Sequence, residues 1–219
     1  MLKRTAATWL TLSCGARQRP LNSSVSDQML PPTSDVMRAY SQPWWVAGGW
    51  AIDLYLGHQS RSHQDVDIAV LRRDQHALRR YLQRWHFTKM VNGVSFAWPE
   101  QEQLELPVHE VYAENGAVRL EFLLNEATGD KWLFRRNESV SAPIGRITRQ
   151  SANGIPYLSP EVVLLYKAKL RRARDEADFK RVLPKLEPSA MSWLVNALQI
   201  CHPSHEWLGE LRASTTSSA

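Results

Sequence analysis

The stretch that most constrains the fold of this chain runs from Trp44 to Leu71 and reads WWVAGGWAIDLYLGHQSRSHQDVDIAVL. The apolar run at 44–47 predicts a short buried strand that ends at the glycine pair 48–49. Adjacent glycines let the backbone turn sharply and approach a ligand without an intervening Cβ. Residues 50–56 have helical character and stop at Gly57, a residue type that favours a C-cap. A helix that starts at such a turn offers free N–H groups to an anion.

The second predicted strand carries two carboxylates. Asp65 and Asp67 lie two residues apart, so on a strand their side chains point to the same face. Val66, Ile68 and Val70 then point to the opposite face. Mg²⁺ takes oxygen ligands and is usually held by one or two carboxylates together with substrate phosphates. An isolated Asp-x-Asp is more often a solvent-facing pair, but the glycine turn and the helix upstream favour a divalent-metal nucleotide site.

These features resemble the nucleotidyltransferase superfamily, and within it the aminoglycoside-2''-adenylyltransferase-like branch, which also includes lincosamide nucleotidyltransferases. The core of the resemblance is GGWAID at 48–53, Arg61, His63 and DVDI at 65–68. Later blocks that look like the same branch are RLEFLLNE at 119–126, WLFRR at 132–136, GIPYLSPE at 154–161, LLYKAK at 164–169 and DEADF at 175–179. The match extends from about residue 36 to residue 211.

The resemblance and the order of the predicted elements imply an α/β (α+β) nucleotidyltransferase fold, in which helices flank a mixed sheet and a small helical domain follows. We expect the nucleotidyltransferase domain at residues 37–150, the helical domain at 151–211 and the active site in the cleft between them. Residues 1–36 are predicted to be a disordered extension, and residues 212–219 a disordered tail.

The first 33 residues are basic, rich in Ser, Thr and Pro, and free of acidic residues before Asp27. This composition suits an organellar transit peptide or a disordered arm. A third interpretation is an over-long start, with Met29 or Met37 as the true initiator. We expect a non-catalytic extension of any of these origins.

Charge and composition narrow the class of protein. The net charge of +5 and the isoelectric point of about 9.4 raise nucleic acid as a partner. No run approaches the ~20 apolar residues of a membrane helix, so the sequence predicts no membrane association. Cys14 and Cys201 match no zinc or redox spacing, which favours free thiols and a cytoplasmic protein.

A third carboxylate is predicted from strand alternation. In residues 117–124 one face carries Val118, Leu120, Phe122 and Leu124. Arg119 and Glu121 fall on the other face. In the resembled family a third acidic residue lies on a strand beside the Asp-x-Asp strand, and Glu121 is the matching position. That position is usually Asp in the wider superfamily, and Glu is longer by one methylene.

Further along, Ser159, Pro160 and Glu161 predict the start of a helix, with a cap, a first-turn proline and an acid near the positive end. The i, i+4, i+7 spacing of Lys167, Arg171 and Arg174 places them on one face of that helix.

The family resemblance implies a role for each candidate residue. Asp65 and Asp67 would hold one or two Mg²⁺ ions, and Glu121 would either complete the metal set or act as the general base. Nucleotide-binding roles fall to Gly48, Gly49, Arg61 and Lys167. The loop residues Arg61 and His63 would touch phosphate or cap their loop, and Lys167 would bind pyrophosphate or be a solvated helix residue.

The implied reaction is Mg²⁺-dependent transfer of a nucleoside monophosphate, AMP from ATP, to a hydroxyl of a small molecule such as an aminoglycoside, with release of pyrophosphate. Transfer to tRNA or protein and a non-catalytic nucleotide-binding role are the alternatives. Residues 100–130 carry eight acids, and Arg119 is their only Lys or Arg. An acidic cleft concentrates cationic acceptors, so this segment favours an aminoglycoside over the polyanion tRNA.

Overall fold

The computed structural model describes residues 30–216. Its strands are β1 (Trp44–Val46), β2 (Asp67–Leu71), β3 (His86–Val91), β4 (Val94–Ala97), β5 (Glu110–Asn115), β6 (Val118–Thr128), β7 (Lys131–Leu133), β8 (Ser141–Pro143), β9 (Thr148–Gln150) and β10 (Pro156–Leu158). Its helices are α1 (Pro31–Met37), α2 (Gly48–Leu56), α3 (Gln75–Tyr81), α4 (Ile144–Ile147), α5 (Pro160–Lys167), α6 (Ala173–Val182), α7 (Pro188–Cys201) and α8 (Trp207–Thr216).

The strands form one mixed sheet in the order β4-β3-β5-β6-β2-β1-β10-β9, with β7 added to β6 and β8 added to β7. Strand β2 lies near the middle, parallel to β6 and antiparallel to β1. The mixed sheet with flanking helices confirms the predicted fold class. Because β2 has neighbours on both sides, its first residue is held firmly in register with β6.

Alternation along the central strands separates two apolar cores. Ile68 and Val70 join Phe122 in a core that α1 and α3 help to cover. Ala69 and Leu71 face the other side, where they pack with β1, α2 and the helices α5 to α8. Each fully buried large side chain contributes about 1.5–3 kcal/mol. The second of these cores joins the sheet to the C-terminal helices in one continuous cluster.

The chain departs from the predicted helix after Lys167. Helix α5 ends there, Arg171 adopts a left-handed backbone with φ of 48°, and α6 starts at Ala173. Arg172 precedes α6 and donates from Nε to Asp175 at 2.7 Å. The prediction of one continuous helical face through Lys167, Arg171 and Arg174 is therefore wrong.

The ends of the described chain are more ordered than the sequence predicts. Helix α1 starts inside the predicted extension and ends at Met37, one residue beyond it, and Leu30 is 1% exposed in the core that contains Ala69 and Leu71. Helix α8 continues to Thr216, into the predicted tail. Residues 1–29 and 217–219 lie outside the described part, together with the targeting alternative and the alternative start at Met29, whereas Met37 is the buried last residue of α1. The domain boundary at 150/151 stays a prediction; β9 and β10, on either side of it, are paired.

Among the helices of residues 30–216, none has the length and apolar character that crossing a membrane requires.

Candidate active site

The register of three strands brings the predicted carboxylates together. Asp67 opens β2 and is paired with Glu121 of β6 in the parallel ladder. On the other side of β6, Tyr112 of β5 is paired with Glu121. Paired residues of neighbouring strands present their side chains on the same face. Asp65 lies in the loop just before β2 rather than on the strand, which corrects its predicted position.

Val66, in the same loop, packs against the core that contains Ala69 and Leu71, whereas Ile68 joins the other core. The predicted alternation therefore holds from Asp67 onward and fails before it. The reason is that period-two alternation applies to extended strand backbone, and β2 begins only at Asp67.

Burial and like charge raise the pKa values of the two central carboxyls. Burial raises the pKa of Asp67 to about 6, with further contributions from the charges of Asp65 and Glu110. Burial raises the pKa of Glu121 to about 7, and the charges of Asp67, Glu110 and Asp65 add to the effect. The cluster is therefore an electrostatically unfavourable group of acids that a bound cation would stabilise.

Glu110 is an acid of this cluster that the sequence analysis named only as part of the acidic segment. The hydroxyl of Tyr112 donates to Oε1 of Glu110 at 2.5 Å. Glu110 and Tyr112 alternate with the buried Val111, so they share the face of Glu121. The alternation of Glu110, Val111 and Tyr112 can be predicted from the sequence. The pairing of β5 with β6, which brings Glu110 and Tyr112 to Glu121, cannot.

Each glycine of the turn is required by a different neighbour. Gly48 has a φ of +59°, and a Cβ added there would overlap Oδ2 of Asp67. Gly49 does not have a positive φ, but a Cβ added there would overlap Nη2 of Arg61 and the ring of His63. Both residues open α2, whose first-turn amides have no acceptor within the helix. The turn thus brings anion-binding amides directly beside the Asp67 carboxylate.

The loop between α2 and β2 is fixed by Asp53. Its Oδ2 lies 2.5 Å from Nε2 of His63, and its Oδ1 accepts from the backbone amide of Ser60 at 3.0 Å. The His63 ring packs against Trp50, with centroids 4.6 Å apart and an angle of 36° between the ring planes. These contacts give His63 a loop-holding role and leave its Nδ1 edge next to Gly49.

The two cationic side chains predicted to bind the nucleotide, Arg61 and Lys167, both contact Asp178 of α6. Arg61 donates from Nε and Nη2 to the two oxygens of Asp178, each at 3.2 Å. Nζ of Lys167 lies 2.9 Å from Asp178 and 3.1 Å from Asp175. The Lys167 side chain is 8% exposed, so it is not a solvated helix lysine. Both aspartates lie in the family block at 175–179 but were not assigned to the site. The signal that could have found them is their spacing, because they share the buried stripe of α6 with Phe179 and Val182.

The acidic cluster fits a metal that substrate phosphates help to hold. Within residues 30–216, no three His, Cys, Asp or Glu side chains form a preassembled metal site. A Mg²⁺ ion usually takes one or two carboxylates and completes its shell with water and phosphate oxygens. Asp65 and Asp67, next to the amides of the glycine turn, match that arrangement and provide only oxygen donors.

Three of the eight acids of the segment 100–130 form ion pairs with neighbouring cations. Glu126 pairs with Arg72 at 2.7 Å, and Glu114 pairs with Arg119 at 3.2 Å. Glu102 pairs with Lys89. Two other acids of the segment, Glu110 and Glu121, belong to the cluster around Asp67, so Glu110 is the acid of the segment that lies beside the catalytic candidates.

Known proteins share this fold. A solved structure of the lincosamide antibiotic adenylyltransferase LnuA with lincomycin bound has a TM-score of 0.50 at 19% identity, covering 73% of this chain and 97% of that one. The solution structure of the antibiotic-resistance factor ANT(2'')-Ia also has a TM-score of 0.50, at 17% identity, covering 78% and 89%.

Sequence comparison gives the family. A lincosamide resistance protein of Staphylococcus haemolyticus is 34% identical over 47 residues, which is 22% of this chain and 29% of that relative's length. The family model for aminoglycoside-2''-adenylyltransferase matches residues 30–182, well over half of the chain, and confirms the resemblance drawn from the sequence. The chain belongs to the aminoglycoside-2''-adenylyltransferase family of antibiotic nucleotidyltransferases.

Proposed function

We propose that this protein transfers AMP from ATP to a hydroxyl group of a small cationic antibiotic of the aminoglycoside type and releases pyrophosphate. The observation that carries the proposal is the pairing of Asp67 with Glu121 directly beside the left-handed Gly48. That arrangement combines a metal-holding carboxylate, a candidate base and a helix N-terminus for phosphate. These are the parts that in-line transfer of a nucleotidyl group requires.

Asp65 and Asp67 are the residues that would hold one or two Mg²⁺ ions. When bound, the metal neutralises charge on the phosphate oxygens. The first-turn amides at Gly48 and Gly49 would donate to the triphosphate, aided by the positive end of α2. Arg61 and Lys167 supply the positive charge nearby. Burial raises the pKa of Asp67, and the charge of Lys167 offsets part of that rise.

Glu121 is the candidate that would accept the proton of the attacking hydroxyl. A general base works best when its pKa lies near the operating pH, and burial raises the pKa of Glu121 to about 7. Its alternative role, as a third ligand to the metal, uses the same position next to Asp67. A measured Mg²⁺ dependence separates the two roles.

The acceptor assignment rests on the charge of the cluster. Glu110 extends the acidic group past Glu121, and a cationic amine of the acceptor would offset the like charge there. A lincosamide acceptor is the second candidate, because the curated relative and one of the solved structures are named for lincosamides. The acidic cluster disfavours the polyanion tRNA.

The test is a transfer screen with ATP labelled at the α-phosphate. The acceptors are a set of aminoglycosides, a set of lincosamides, tRNA and unrelated proteins, each with Mg²⁺ present, and the protein carrying Asp67→Asn is the control. We expect label on an aminoglycoside and equimolar pyrophosphate, both absent with the variant. If only lincosamides are labelled, the acceptor is a lincosamide and the aminoglycoside assignment is wrong. If none of the four classes is labelled, the proposed reaction is refuted.

A further inference from the structure

A single buried carboxylate joins the two cations that the sequence marks for the nucleotide. Asp178 of α6 has a side chain that is 1% exposed. It accepts two hydrogen bonds from Arg61, pairs with Nζ of Lys167 at 2.9 Å and lies 3.8 Å from Nη1 of Arg181. Arg61 belongs to the loop before β2 and Lys167 to the end of α5, so the contact is made by tertiary packing.

Both cations lie next to the proposed phosphate site. The Nη2 atom of Arg61 occupies the space that a Cβ of Gly49 would fill, so the guanidinium lies against the first turn of α2. The charge of Lys167 acts on the Asp67 carboxyl. Asp178 thus contacts Arg61, which lies against the glycine turn, and Lys167, whose charge acts on the acidic cluster.

The hydrogen bonds to Asp178 do not use all the donors of these cations. A guanidinium has five N–H bonds. Within residues 30–216, Arg61 uses Nε and Nη2 toward Asp178 and Nη1 toward the carbonyl of Ser62. An ammonium has three N–H bonds, and Lys167 donates one of them to Asp175 at 3.1 Å while it forms an ion pair with Asp178 at 2.9 Å. Each cation therefore keeps donor capacity for phosphate oxygens while its orientation is fixed.

We propose that Asp178 is a positioning residue for the nucleoside triphosphate, because it holds Arg61 and Lys167 at the glycine turn in the geometry that binds the phosphates. The inference rests on the proposed function and deepens it. Without this carboxylate Lys167 would keep its pair with Asp175, but Arg61 would lose both of its hydrogen bonds to Asp178 and would be repelled by the nearby ammonium of Lys167. The two hydrogen bonds from Arg61 to Asp178 also fix the plane of the guanidinium, whereas a single point charge would leave that plane free to rotate.

The sign of the effect distinguishes positioning from simple electrostatics. Replacing Asp178 by asparagine removes a negative charge next to a polyanion, which by itself would tighten triphosphate binding. If Asp178 positions the cations, binding weakens instead. Loss of one charge-assisted contact in a partly buried site corresponds to about ten-fold or more in affinity.

The experiment measures the Kd of the α,β-methylene analogue of ATP by calorimetry with Mg²⁺ present, and the KM values of both substrates. For Asp178→Asn we expect a Kd at least about ten-fold higher and a KM for the acceptor changed less than about two-fold. The matched control is Glu161→Gln, another carboxylate that is 1% exposed and pairs with an arginine, Arg146 at 3.4 Å. It should lower the melting temperature and leave the Kd unchanged.

If Asp178→Asn does not fold, the same binding measurement is made with a second variant, Asp178→Glu. Asp178→Glu keeps the charge but displaces it by one methylene, and we expect it also to weaken the binding of the analogue. An unchanged or tighter Kd in a folded variant at this position overturns the inference and leaves the proposed function intact. Failure of the unmodified protein to bind the analogue overturns both.

Discussion

Replacing Asp67 by asparagine removes one charge from a buried cluster of acids, and we expect the metal-free protein to become more stable while transfer is lost. The folded environment raises the pKa of Asp67 from 3.8 to about 6. Each pKa unit corresponds to ~1.4 kcal/mol, so the ionised carboxylate costs the metal-free fold about 3 kcal/mol at most. The asparagine amide must also be desolvated, which leaves an expected gain of about 1–3 kcal/mol.

The pH dependence follows from the direction of the shift. Since the folded protein binds this proton more tightly than the unfolded chain, the destabilisation is absent below pH 3.8 and complete above about pH 6. The gain from Asp67→Asn should therefore be full at pH 8 and about half as large at pH 5. For a chain of this size it corresponds to a rise of about 3–9 °C in melting temperature at pH 8.

The assay is thermal and urea unfolding of both proteins in EDTA at pH 5 and pH 8, repeated at pH 8 with Mg²⁺. We expect Mg²⁺ to raise the melting temperature of the unmodified protein more than that of the variant. A variant less stable than the unmodified protein at pH 8 in EDTA would refute the electrostatic reasoning. So would a gain of equal size at both pH values.

Four further predictions concern the neighbours of this carboxylate and the packing of the chain. Single-turnover rates of Glu121→Gln should fall by about 10²–10⁴-fold at unchanged Mg²⁺ dependence if the residue is the base, whereas a higher Mg²⁺ requirement would identify a ligand. Gly48→Ala should lose clearly more stability in urea unfolding than Gly57→Ala, because both have positive φ but an added Cβ at Gly57 meets nothing within 4 Å; equal losses would contradict the overlap. Leu30→Ala should lower the free energy of unfolding by about 2–4 kcal/mol, and no change would mean that this residue contributes nothing to the core. Glu110→Gln should raise the KM of a cationic acceptor at low salt and leave that of a neutral acceptor unchanged; an equal effect on both would remove Glu110 from acceptor recognition.

Strand patterns predicted most of what positions the candidate site. Glu121 could be assigned to a polar face because alternation fixes the face of every residue once a strand is recognised. Gly48 and Gly49 could be recognised as a turn by residue type alone. Their partners could not, because Asp67, Arg61 and His63 reach them only after β2 and its preceding loop are placed.

Helical patterns were less informative about the site. The segment after Lys167 contains no glycine or proline before Pro184, so its composition gives no sign that the chain breaks at Arg171. The buried residues of α6, which are Asp175, Asp178, Phe179 and Val182, follow the i, i+3, i+4, i+7 spacing, so periodicity could mark these two carboxylates as buried. It could not identify their partners, because Arg61 and Lys167 reach Asp178 only in the folded chain. Asp178 was therefore absent from the predicted site, although both of its cationic partners, Arg61 and Lys167, had been selected.

The continuous apolar cluster that joins the sheet to the C-terminal helices also bears on how substrates enter and leave. Trp45 of β1 and Leu164 of α5 belong to this single core, together with Trp207 of α8. Swinging the helices away from the sheet would expose these side chains at a cost of about 25 cal/mol for each Å² of apolar surface. We therefore expect the sheet and the C-terminal helices to stay together during turnover, so that substrate exchange depends on the surrounding loops rather than on a hinge.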